Sequence, residues 1–328
     1  MILSIIFGFL PMFFFAGIVY WLDRYEKEPV LLLVGVFLWG AVVAAGAAFL
    51  LNTVLSVGVY LFTHSETATD IATGALIAPI VEESLKGFAV LIVFLVFRGE
   101  FDSLLDGIVY AGIAALGFAA TENVYYIYTY GYVPSGLMGL AWLTFVRVVL
   151  VGWQHPFYTA FIGIGLATAR LSRGAGVKAA AAAAGWLGAV ITHAAHNAVS
   201  QVSNGASGMA LGTALDWTGW FLMALVILWA LYQEQRWITL HLQEEVALGL
   251  ITPVQYRTAC SAWAQSGARL GALFSGRYLA TDRFYQACGK LALKKHQRLA
   301  LGEEETASGG VIQRLQSDLQ RLSPLANA

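Results

Sequence analysis

Charge is scarce in this chain of 328 residues: Asp, Glu, Lys and Arg make up 12%, about half the share usual in soluble domains, while apolar residues reach 58%. A water-soluble globular domain is excluded, and a membrane protein is expected. Excess charge of one sign is also missing. With a net charge of -1 there is no strongly basic face of the kind nucleic acid needs, so no nucleic-acid partner is expected. Cysteine is nearly absent, and Cys260 and Cys288 support neither a disulfide framework nor a CxxC metal spacing. The charge that is present is unevenly spread. Residues 1–232 hold 8 Lys and Arg against 12 Asp and Glu, and residues 233–328 hold 11 against 8. The chain therefore reads as a membrane domain over 1–232 and a separate tail over 233–328.

A helix needs about 20 mostly apolar residues to cross roughly 30 Å of hydrocarbon. Runs of that kind lie at about residues 2–22, 30–51, 71–97, 104–130, 137–170, 177–200 and 211–232. The first lacks the basic start and small-residue cleavage site of a signal peptide and is read as a span. Arg24 and Lys27, Arg98, Arg170 with Arg173 and Lys178, and Arg236 follow alternate spans, whereas the loops at about 52–70, 131–136 and 201–210 contain no Lys or Arg. The positive-inside pattern puts the N-terminus outside, the tail in the cytoplasm, and an odd number of spans between them. The expected fold is an all-α polytopic transmembrane helix bundle of about seven spans with a small helical cytoplasmic C-terminal tail.

Residues 137–170 would form a helix of roughly 51 Å at about 1.5 Å per residue, too long for one pass. Gly152-Trp153-Gln154-His155-Pro156 supplies a break, since proline suits the first turn of a new helix and disrupts the middle of an old one. His155 is then expected beside the start of a half-helix, where irregular backbone requires surrounding protein or a water-filled cavity. In the tail, Thr252 is expected to cap a helix beginning at Pro253. Glu303-Glu304-Glu305 should lead through a flexible Gly309-Gly310 link into a last short helix, and the whole tail reads as a regulatory or solvating appendage.

An ionisable side chain in mid-span costs about 2.5–3.5 kcal/mol on insertion, which marks each one as a functional candidate. In Ala78-Pro79-Ile80-Val81-Glu82-Glu83-Ser84-Leu85-Lys86, Glu82 and Lys86 share a helix face and Glu83 is turned away from it by about 100°. Glu122 lies on the next span and Arg147 on the one after, at similar expected depth, so an ion pair that merely staples two helices is an alternative for both. Asp106, near the end of its span, is expected to be a helix cap. His155 sits at the predicted break, and His193, His196 and Asn197 share one face of a later span. Four spans can thus meet at one polar site.

Carboxylates beside neutral imidazoles can activate water as general bases, or can hold a zinc ion that lowers the pKa of its water to about 7. With zinc, Glu122, His155 and His193 would fill three positions and leave the fourth for water; without it, the histidines would orient the water and Asn197 would donate to the developing oxyanion. Both routes are hydrolytic. Other intramembrane hydrolase patterns are missing: there is no HExxH, no GxGD, and the Gly205-Ala206-Ser207-Gly208 string is followed by no histidine within a span.

The strings EExxK at Glu82–Lys86, FxxxE at Phe118–Glu122, HxxxT from His155 with glycines up to Gly165, and HxxxN at His193–Asn197 together resemble the PrsW family, as does the DRYEKEP turn at Asp23–Pro29. The likeness covers roughly residues 10–230, and the motifs in order, each on its own helix, are far more specific than any one alone. Family members typically carry an arginine after the paired glutamates and a histidine in the second motif, where this chain has Lys86 and Glu122. The resemblance implies an intramembrane metalloprotease of a bacterial-type plasma membrane, related to the CAAX prenyl endopeptidase and to bacteriocin-processing membrane proteins. It also implies a membrane-anchored protein substrate, anti-sigma factors being cut by some members. The expected catalytic set is Glu82, Glu83, Lys86, Glu122, His155, His193 and Asn197. A proton- or cation-coupled transporter is the alternative, because carriers also place such groups beside broken helices.

Overall fold

The computed structural model describes residues 1–202, 205–302 and 309–326, and these are helical with no strand among them. In chain order the helices are α1 (Ile2–Leu22), α2 (Val30–Thr63, loosened by a π-helical turn at Trp39–Ala44) and α3 (residues 66–96, with a π turn at Thr73–Ile77). They continue with α4 (Leu104–Tyr126), α5 (Val133–Thr144, extended by a π turn at Phe145–Leu150), α6 (Gln154–Leu171), α7 (Ala175–Val202) and α8 (Gly205–His241). The tail adds α9 (Gln243–Ala247), α10 (Pro253–Ala259), α11 (Ala262–Phe274), α12 (Tyr278–Leu301) and α13 (Gly309–Leu322).

Five stretches among the described residues are apolar and long enough to cross a membrane: Ile2–Leu22, Val30–Thr63, Leu104–Leu171, Ala175–Gln201 and Ser207–Ala247. This is an all-α polytopic bundle. The third stretch would measure roughly 100 Å as one rod, so it must fold back. It does so at Gly136, whose φ of 59° and ψ of −142° suit glycine alone. It breaks again at Val151–Trp153, where α6 begins with its own first turn and His155 lies one residue into it. Helix α3 stands apart from the five through Glu82, Glu83 and Lys86 at its centre.

Helix α4 is the axle of the bundle, buried on nearly every side by α1, α2, α3 and α6. Water does not drive helices together in lipid, so such packing depends on close van der Waals fit and small residues. Gly107 on α4 and Gly163 on α6 meet backbone to backbone: a Cβ on Gly163 would fall 2.0 Å from the Gly107 carbonyl oxygen. The start of α4 is fixed by a capping box in which Ser103 accepts from the Asp106 amide and Asp106 answers the Ser103 amide at 2.7 Å, so Asp106 is a cap. On the outside, Leu31 and Phe62 are 87% and 89% exposed, a surface suited to lipid.

Helix α8 crosses Gln233 without interruption, and the compositional boundary there is not a break in the chain. The tail has its own core of Ile238, Leu242, Phe284, Cys288, Leu291 and Leu319, and Tyr25 from the turn after α1 is buried in it. Lys290 pairs with Glu26 at 3.1 Å and Glu100 at 3.0 Å, and Lys294 pairs with Asp102 at 2.5 Å. Arg173 Nε donates to the Ala300 carbonyl at 2.7 Å. The arginine-bearing turns therefore share one face with the tail, which is docked on them. Thr252 caps α10 with Pro253 in its first turn. Gly309 and Gly310 open helix α13 instead of forming a link, since glycine is tolerated in a first turn that other residues propagate. Glu303-Glu304-Glu305 lies outside the described residues.

Candidate active site

Helices α3, α4, α6 and α7 bring Glu82, Glu83, Lys86, His155 and His193, all buried, together with the half-buried Glu122. Glu83 is wholly engaged. Its Oε1 accepts from Lys86 Nζ at 2.5 Å and from His193 Nδ1 at 2.9 Å, and its Oε2 accepts from Thr159 at 2.8 Å. The ion pair inside α3 is thus Glu83–Lys86 at a spacing of three, although the sequence put Glu82 and Lys86 on one face at a spacing of four. Both spacings lie on one helix face, and the histidine and threonine of α7 and α6 select Glu83.

Glu82 differs sharply. Its Oε1 accepts from Asn52 Nδ2 at 3.2 Å, but its buried Oε2 has no hydrogen-bond partner and lies 3.9 Å from His193 Nε2. Among the described residues no lysine or arginine pairs with it. Because His193 donates through Nδ1 to Glu83, its Nε2 carries the lone pair that faces Glu82. The carboxylate–imidazole contact fixes ring and tautomer, the way outer groups orient a metal-bound or water-bound histidine.

Glu122 is held by Arg147 and by His155 Nε2 at 2.8 Å. Arg147 also donates from Nε to Asn123 at 2.8 Å and lies over the Tyr126 ring at 4.5 Å, so the helix-stapling pair anticipated for Arg147 is present. Lys86 Nζ reaches His155 Nδ1 at 3.3 Å, leaving Nε2–H to donate to Glu122. Asn197 is directed elsewhere: its Nδ2 donates to the Gly74 carbonyl at 2.8 Å and ties α7 to the π turn of α3.

The ligand atoms that converge within 4.8 Å of one another, as a metal ion requires, belong to Glu82, His155 and His193, with Glu82 where the sequence suggested Glu122. The fit to a cation rests on the unpartnered Glu82 Oε2 and on His193 Nε2, which faces it at 3.9 Å. His155 can join by exchanging one of the contacts that its ring nitrogens make.

Sequence reasoning passed over a second layer. Tyr158 stacks on His193 with ring centroids 4.9 Å apart, and its hydroxyl donates to Asp216 of α8 at 2.8 Å. Asp216 also takes His196 Nδ1 at 3.0 Å. A lone carboxylate in the last apolar span was the signal for Asp216. Asn52 had none, because an amide just past the expected span of 30–51 is unremarkable until Glu82 is placed beside it.

Residues 28–231 match the model of the PrsW family of intramembrane metalloproteases. The chain belongs to this family. It is 33% identical over 109 residues to Protease PrsW of Geobacillus kaustophilus, which is 33% of this chain and 45% of that protein. Against Protease PrsW of Clostridioides difficile it is 36% identical over 107 residues, 33% of this chain and 43% of the relative. Protease PrsW of Bacillus subtilis is matched more widely, with 27% identity over 207 residues, 63% of this chain and 82% of the relative. The chain thus spans less than half the length of the first two relatives. No solved structure matches it. Membership of PrsW gives no support to the transporter alternative.

Proposed function

We propose that this PrsW family member hydrolyses peptide bonds in membrane-anchored proteins, with Glu82 as the group that activates water. The observation that carries the reading is the unpartnered Oε2 of Glu82, buried and facing the Nε2 lone pair of His193 while every other acid of the cluster is neutralised. Glu82 takes a proton from the water whose oxygen adds to the carbonyl carbon, then returns that proton to the departing amine nitrogen. Glu83 acts by holding Lys86 and His193 in place. Lys86 and Arg147 put positive charge beside the carbonyl oxygen as it becomes an oxyanion.

Where the metal implied by the family is bound, Glu82, His155 and His193 would hold it, and Glu82 would then serve as a ligand in place of the base. A divalent cation such as Zn²⁺ supplies there a lowered water pKa, about 7 for zinc.

We place the N-terminus outside, the tail in the cytoplasm and about seven passes between them, because the arginine-bearing turns share the face of the tail. Cleavage then falls near the extracytoplasmic boundary of the substrate. The test is purified protein in lipid vesicles with synthetic single-span peptides, with and without chelator, followed by mass spectrometry. Discrete cleavage that disappears in Glu82→Gln supports the reading, and intact peptides throughout reject it. Cysteine labelling at the α7–α8 junction checks sidedness, and reaction only from the cytoplasm inverts the topology.

A further inference from the structure

A cavity of about 630 Å³ opens between α2 and the outer half of α4, in the range of roughly 300–1,000 Å³ found for ligand sites. Glu82 and Glu122 stand in its wall, so it is the approach to the site. Ala45, Gly46 and Ala48 keep one side shallow, and Tyr125, Tyr126 and Tyr130 form the other. Ser56 and Val57 line both this cavity and a second one of about 360 Å³ that continues outward past Glu66 and Asp70. The two adjoin at Ser56 and Val57 and together are called the track.

Three buried polar atoms on this track have no partner: Asn52 Oδ1, Thr73 Oγ1 and Glu82 Oε2. Leaving such atoms unsatisfied in an apolar environment is costly, which makes them candidates for a ligand's hydrogen bonds. A peptide bond inside a helical span is shielded by its own helix, and once unwound it exposes N–H and C=O groups that lipid cannot satisfy. The groove offers acceptors for the N–H groups. From Ala45 to Val57 it runs about 18 Å along α2 at 1.5 Å per residue, the length of about five extended residues at 3.3 Å each.

We propose that this track binds an unwound, uncharged segment of a single-pass substrate, with Asn52 and Thr73 accepting its backbone N–H groups. The proposal rests on the hydrolytic reading and adds the substrate class: spans interrupted in their outer third by small, helix-breaking residues. No lysine, arginine or aspartate lines the main cavity, and the small residues of α2 leave room for backbone to approach.

The test uses the full chain with Glu82→Gln in vesicles of phosphatidylethanolamine and phosphatidylglycerol. A photoreactive p-benzoylphenylalanine replaces Thr53 in one variant. In the other it replaces Ala224, which lines a separate apolar cavity between α1, α4, α6 and α8. One probe is a Leu/Ala single-span peptide interrupted by Gly-Ser-Ala-Gly in its outer third, and the other is the same peptide uninterrupted. The Thr53 variant should give about tenfold more adduct with the interrupted probe, the ratio that one or two hydrogen bonds supply. Asn52→Leu and Thr73→Val, each with unchanged thermal unfolding, should lower that adduct.

Equal adduct from both probes, stronger adduct at Ala224, or full adduct in both polar variants would overturn the proposal. With Glu82 restored, a chain that crosslinks at Thr53 without cutting sinks the hydrolytic reading and keeps the groove. A chain that cuts while crosslinking only at Ala224 sinks the groove alone.

Discussion

Two clusters of buried acids lie on this bundle and treat their charges differently. Where the tail docks, Glu26, Glu100 and Asp102 each face a lysine of α12. Inside the bundle, Glu83 has Lys86 and Glu122 has Arg147, but Glu82 has only the amide of Asn52. Burying an ion is costly unless it is paired, so an intramembrane carboxylate without a cation is hard to explain as architecture. Pairing at the tail holds elements together, whereas Glu82 Oε2 is left free, the observation on which its proposed role rests.

The comparison breaks most decisively at Glu82. Glu82→Gln should lower kcat by about a thousandfold, within the usual range for a lost general base, whereas Lys290→Ala at the tail should leave kcat within about threefold. Metal content separates the ligand sets in the same samples. Elemental analysis should find the ion diminished in Glu82→Gln and His193→Ala and retained in Glu122→Gln. Loss in Glu122→Gln with retention in Glu82→Gln would return the site to the set expected from sequence.

Next in size is Glu83→Gln. It strands Lys86, fully buried, without its counter-charge, a change that costs about 3–5 kcal/mol in other buried pairs. Thermal unfolding in detergent should show a clear loss, and an unchanged midpoint would mean that Glu83 is not what holds Lys86.

Asp216→Asn should act more weakly and through position. Losing an outer hydrogen-bond partner of an active-site group typically costs about 10–100-fold, and the change should appear in kcat with KM kept, because Tyr158 would no longer be held flat on His193. Asp216→Glu should restore part of the rate. An equal rise in KM would assign Asp216 to substrate binding instead.

The smallest effect concerns pH at the tail. Burial pushes Asp23 up to about 7 and Glu26 up to about 8, with Lys27 and Lys290 opposing the respective shifts. A carboxylate raised in the folded state binds its proton more tightly there, so its contribution is fully present below its unfolded value and is lost as pH rises through its folded one. Amide-exchange protection of α12 and of residues 23–29 should therefore fall as pH climbs through about 7 to 8. Constant protection across that window would show that the lysines alone govern docking.

Much of this was legible in the sequence. The helical spans, the break before His155, the Asp106 cap and the gathering of Glu82, Glu83, Glu122, His155 and His193 follow from local properties, because a backbone in lipid must satisfy its hydrogen bonds within its own helix and an intramembrane charge is expensive wherever it sits. The pairing of those charges was not legible. Lys86 is one turn from both glutamates, and the choice was made by His193 and Thr159, far along the chain. The same holds for the tail, which reads in sequence as a regulatory or solvating appendage and whose lysines meet carboxylates in turns after α1 and α3.

Hydropathy and spacing by themselves determined which segments are helices in a membrane and which residues are too costly to be there without purpose. The tertiary structure alone decided that Glu82 keeps a free oxygen while Glu83 spends both of its own, that the Asn197 amide donates to the Gly74 carbonyl of α3, and that Asp216 reaches His193 through Tyr158. The physical reason is that helix formation is settled within a segment. The partner of a side chain depends on the relative rotation and depth of several packed helices, and contacts such as Gly107 against Gly163 set these across the bundle.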